Sequence, residues 1–141
     1  MKKIILAGAA LLILFVPSLC LADPQIPNLV GAWEVKSEGG LMVKGDQPGK
    51  ITHWEPKQTS LKAEAHITKQ NGRVLFGTFK SSRATENFIA VIGHDNKTFY
   101  LADEDGYGDG KIIGNDRIEI IYRHVKPTDS AAAAGVWTRK K

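Results

Sequence analysis

The feature that most constrains this chain is a rhythm. From Val30 onward, short segments rich in β-branched and aromatic residues alternate with turn signals, and no stretch carries a convincing helical period. Eight strands are expected, over Val30–Lys36, Lys62–Lys69, Arg73–Lys80, Glu86–Gly93, Thr98–Ala102, Lys111–Ile113, Asp116–His124 and Ala131–Arg139. In the seventh, Ile118, Ile120 and Tyr122 share one face, while Arg117, Glu119 and Arg123 lie opposite with Ile121. One buried and one wet face is the mark of antiparallel sheet. A parallel sheet needs crossover helices, for which the sequence offers no segment. The one helix-leaning run, Ala131–Ala134, lies between a Pro127 turn and Gly135-Val136-Trp137-Thr138-Arg139, which favours a last strand of small residues.

Connection lengths divide the molecule. The even connections are short: Asn71-Gly72 is a strong two-residue hairpin signal, followed by His94–Lys97 and Gly114-Asn115. The odd ones are longer: 37–61, 81–85, 103–110 and 125–130. In an up-and-down sheet all odd connections gather at one end, which makes that end the expected binding end. The 25-residue segment 37–61 is read as a long loop or an extra hairpin, with small apolar clusters around Val43 and Ile51 separated by Gly45 to Gly49.

The N-terminal stretch stands apart. Lys2 and Lys3 precede an apolar run of about 13 residues, Ile4 to Val16, and then Cys20-Leu21-Ala22. This is the pattern of a cleaved secretory signal peptide over 1–22, and the run is shorter than the ~20 residues of a membrane-spanning helix. Leu19 before Cys20 argues against a lipoprotein. The expected mature domain, 23–141, is thus exported to the periplasm or the medium, without a membrane anchor. It has no cysteine, because Cys20 is the only one in the chain. The two leader lysines also supply half of the formal net charge of +4. What remains is nearly neutral, so the basic charge points to no nucleic-acid partner.

Eight antiparallel strands with this connectivity fit a closed, all-β, up-and-down barrel. Asn28-Leu29-Val30-Gly31-Ala32-Trp33 resembles the Gly-x-Trp opening of the first strand in calycins, the superfamily of lipocalins and avidins. The Asn71-Gly72 hairpin before Phe76-Gly77-Thr78-Phe79, and the closing Trp137-Thr138-Arg139, resemble avidin-like strands. The resemblance implies a calycin-like barrel in which Trp33, after Gly31, plugs the closed end. Arg139 would lie over its indole, with Arg123 as a second candidate. No biotin-contacting set is matched.

The candidate ligand residues are His53 and Trp54 in segment 37–61, where an indole stacks on a ligand and an imidazole orients it, or else Trp54 merely anchors the loop. Asp103 and Tyr107 join them from 103–110. That acidic, glycine-rich segment invites calcium, but the EF-hand order fails at Tyr107 and Gly114. His66, His94 and His124 lack zinc spacing. Ser81, Ser82, Thr128 and Ser130 have no recognisable third member of a triad, so no catalytic residue, metal or cofactor is assigned. Two functions remain: a non-enzymatic small-molecule carrier or sensor, or a protein-interaction module such as a hydrolase inhibitor using 37–61. An enzyme with acid/base groups among His53, Glu55 and Asp103 comes third.

Overall fold

The structure is a computed structural model, and it describes residues 25–45 and 52–141. The expected leader and part of segment 37–61 lie outside the described residues. Eight strands follow in order: β1 (Gly31–Val43), β2 (Ser60–Asn71), β3 (Val74–Lys80), β4 (Thr85–Ile92), β5 (Thr98–Asp103), β6 (Tyr107–Ile113), β7 (Arg117–Val125) and β8 (Asp129–Arg139). Each pairs antiparallel with the next, and β8 returns to β1, so the sheet closes into a barrel without a free edge.

Alternation decides what lies inside. Along β4, Phe88, Ala90 and Ile92 point inward between exposed neighbours, and β7 turns in Ile118, Ile120 and His124. The interior is an apolar core in which Phe88 and Phe99 meet Trp137 edge-on, at centroid distances of 5.7 and 5.8 Å. Outside, charged pairs such as Arg117 with Glu119 share the wall with exposed Phe76, Ile89, Val91 and Tyr100.

The end that holds the even connections is sealed by Trp33, which has no exposed surface. Its indole N–H donates to the Leu29 carbonyl at 3.1 Å, and the Arg139 guanidinium stands 4.4 Å above its ring. Arg139 also donates to the carbonyls of Asn28, Val30 and Asn115. Gly31 has φ +142°, a conformation that residues with side chains rarely adopt, and a Cβ there would press to 3.1 Å from the guanidinium. The Gln70 side chain accepts from the Leu29 N–H and donates to the Pro27 carbonyl, tying the lead-in across the barrel base.

Three expectations need correction. Segment 37–61 is not one loop, because β1 continues to Val43, and Gly39–Val43 pair with Ala133–Asp129 of β8. Gly39-Gly40 does not break the strand. At Gly39 a Cβ would stand 2.6 Å from Ala133 Cα, so the glycine and the alanine run of β8 together permit close strand approach. Likewise 103–110 is a tight turn, since β6 already begins at Tyr107. Finally, 125–130 shortens to three residues between Val125 and Asp129, because Asp129 and Ser130 already pair with Val43 and Met42 of β1.

Candidate functional site

The end that holds the odd connections is built differently. Residues 52–59 return across the barrel mouth before β2 begins, and Trp54, only 6% exposed, is their buried anchor. The Thr52 hydroxyl donates to Asp105 at 2.9 Å, and Arg83 donates to Glu55 at 2.7 Å. Gly39 N–H donates to the Thr59 carbonyl at 3.0 Å, joining the segment to the extended part of β1. Beneath this roof lies a cavity of about 60 Å³. One water needs roughly 10–15 Å³, so the space accepts a few non-hydrogen atoms. Its walls are the aromatic rings of Phe79, Phe88 and Trp137 and the side chains of Leu61 and Leu101; His53, Asp103, Tyr122, His124 and Asp129 line its polar side.

The polar side consists of three hydrogen-bonded groups. His53 Nδ1 lies 2.8 Å from Ser81 Oγ and Nε2 lies 3.1 Å from Glu86 Oε2. Burial lowers the His53 pKa, partly opposed by Asp103 and Asp105. With Glu86 ionised, Nε2 carries the ring proton toward the carboxylate and Nδ1 accepts from the Ser81 hydroxyl. Burial, then Asp105, Asp103 and Glu104, push Glu86 up to about 7, with Lys126 opposing.

The second group centres on Asp103, whose Oδ1 accepts from the N–H groups of Asp105 and Gly106 and from the Tyr122 hydroxyl, at 3.0, 2.6 and 3.0 Å. Burial raises the Tyr122 pKa, and Asp103 adds to it, so Tyr122 remains a neutral donor. The third group joins buried His124 Nε2 to Asp129 Oδ1 at 2.6 Å, while the Thr128 hydroxyl donates to Asp129 Oδ2 at 2.7 Å. Burial would raise Asp129, but Thr128, His124 and Lys126 outweigh it and hold its carboxyl below the usual range. Lys126 lies 2.8 Å from Asp105 and 4.0 Å from Asp129.

Three of the four candidate ligand residues meet here: His53, Trp54 and Asp103 all line the cavity. Tyr107 does not. It begins β6 facing outward, half exposed, with the Arg123 guanidinium 4.8 Å above its ring. The neighbouring Gly108 takes the inward position, where Ile120 fills the space a side chain would need. Arg123, held by Tyr107 and Asp109 outside the barrel, is therefore not a partner of Trp33, and Arg139 holds that place.

Sequence reasoning missed Glu86, Ser81, Tyr122 and the His124–Asp129 pair as members of one site. Their separations along the chain gave no motif, although inward phase on β4 and β7 marks Glu86, Tyr122 and His124 as polar residues on apolar faces. Ser81, His53 and Glu86 also form the linear relay that hydrolytic triads use. Here the Ser81 oxygen accepts the N–H groups of Arg83 and Ala84, at 3.2 and 3.3 Å, which makes it the cap of a turn.

No protein-family model matches the chain, and no curated protein matches it either. Among solved structures the chain is similar to a redesigned β-barrel, with a TM-score of 0.53 over 80% of this chain and 92% of that one. At 8% identity the likeness concerns the fold alone. With the strand pairing, it supports an all-β, closed, eight-stranded antiparallel barrel as the architecture of this chain.

Proposed function

We propose that this is an exported, non-enzymatic binding protein of calycin-like type, a carrier or sensor whose small-molecule ligand occupies the mouth beneath Trp54. The observation that carries the reading is the cavity itself, at the end with the longer connections, apolar on one side and lined with oriented polar groups on the other. Its size narrows the ligand to a few non-hydrogen atoms, well below a lipid, a tetrapyrrole or biotin. The calycin-like assignment is supported by the Trp33 plug beneath Arg139 and by the Gly31 that makes room for it. The export part rests on the leader pattern of residues 1–22.

The test is native mass spectrometry of the protein drawn gently from the export compartment, together with a thermal-shift screen of small polar fragments. A bound species of low mass, or stabilisation that disappears in Trp54→Ala, supports the reading. A protein that emerges without adduct and responds to no fragment contradicts it.

A further inference from the structure

Negative charge gathers at the mouth. Asp103 and Asp129 line the cavity, Glu86 and Asp105 lie close to them, and the Lys126 ammonium is engaged by Asp105 and Asp129. Among the described residues no Lys or Arg lies within ion-pairing distance of Asp103 or Glu86.

Hydrogen-bonding capacity is unbalanced in the same sense. The hydroxyls of Thr52, Tyr122 and Thr128 all donate to protein carboxylates. Asp103 receives its three bonds on Oδ1, and among the described residues none reaches Oδ2. Independently, His124 lines the cavity; Asp129 engages Nε2, and Nδ1 makes no hydrogen bond among the described residues. With Nε2–H directed at Asp129, Nδ1 is left as an acceptor for a donor from the cavity. The remaining walls, Phe79, Phe88 and Trp137, are aromatic and suit an apolar part of a ligand.

We propose that this cavity binds a small primary ammonium, whose N–H groups bond Asp103 Oδ2 and His124 Nδ1 while its short alkyl part lies against Trp137 and Phe88. The proposal rests on the binding reading above and specifies its ligand class. An anion is repelled by the carboxylates. A neutral alcohol satisfies a lone pair but leaves the charge uncompensated, and a quaternary ammonium has no N–H for either acceptor. Ionisation of Glu86, which faces His53, Asp103, Glu104, Asp105 and Lys126, strengthens the attraction as pH rises through about 7.

Isothermal titration calorimetry at low ionic strength and pH 8 tests this with n-propylammonium, tetramethylammonium, 1-propanol and propionate. Propylammonium is expected to bind at least tenfold more tightly than any of the others. Asp103→Asn, which keeps the Oδ1 acceptor of the turn, should lose about tenfold for propylammonium and leave 1-propanol unchanged. Glu86→Gln supplies a second variant: several-fold weaker propylammonium binding at pH 8 and none of that loss at pH 5.5. If 1-propanol, propionate or tetramethylammonium equals propylammonium, or if Asp103→Asn binds it as before, the ammonium assignment is overturned while the pocket stands. Absence of heat from all four contradicts the ammonium and the pocket together.

Discussion

The two ends of the barrel are made from similar residue types but place them differently. At the closed end an indole, a guanidinium and three backbone carbonyls satisfy one another, and Trp33 has no exposed surface. At the open end Trp54 roofs a cavity whose carboxylates outnumber their cations. The closed end thus seals the core, whereas the open end sets polar groups beside an apolar wall, the arrangement on which the proposed ligand binding rests. Substitutions at matched positions separate these roles.

The largest effect is expected from Trp33→Ala. Removing a fully buried Trp costs about 3–5 kcal/mol, read as a lower urea midpoint with global loss of amide protection. Arg139→Ala follows, at about 2 kcal/mol, because the cation–π contact and charged hydrogen bonds to three carbonyls disappear together. Lysine does not restore them, since a single ammonium cannot reproduce the forked contacts. Trp54→Ala should cost less than Trp33→Ala, about 1–2 kcal/mol, and act locally. Its signature is faster hydrogen exchange at the Gly39 and Gln58 amides, which bond to Thr59 and Glu55, with the amides near Trp33 unchanged. An equal, global cost at Trp54 would erase the distinction between the ends.

Glu86→Gln sharpens the contrast through pH. In the fold this carboxyl titrates near 7, above its ordinary 4.5, so its neutral form is favoured there. The associated stability is complete below about pH 4.5 and is lost as pH rises to about 7. Glutamine preserves an uncharged partner for His53. The variant should therefore melt about 3–6 °C above the parent at pH 8 and within about 1 °C of it at pH 5. Equal shifts at both pH values would remove the electrostatic account of the mouth. The smallest change belongs to Tyr107→Ala: an exposed ring under Arg123, worth about 0.5 kcal/mol or less, with ligand binding intact.

Much of the barrel was legible because its punctuation is local. Asn71-Gly72 and Gly114-Asn115 announce turns, and Gly72 and Gly114 have positive φ as such turns require. Alternation of Ile118, Ile120 and Tyr122 assigns the inner face of β7 without knowledge of its neighbours. The start of segment 37–61 was not legible as strand because glycines such as Gly39-Gly40 serve a turn or a close strand approach alike, and only the β8 partner tells which. The site was half legible for a related reason. His53, Trp54 and Asp103 stand out as polar or aromatic residues in long connections, while Glu86 and Ser81 join His53 across 33 and 28 residues. Such contacts follow from barrel closure and have no local pattern.

The most direct test of the difference between the ends uses the three tryptophans. Two-dimensional ¹H–¹⁵N spectra report each indole N–H separately while n-propylammonium is added. The resonances of Trp54 and Trp137 should move together along one saturable binding curve, with that of Trp33 stationary. Movement of Trp33 along the same curve, or three unmoved signals at saturating probe, would contradict an open binding end and a sealed structural one.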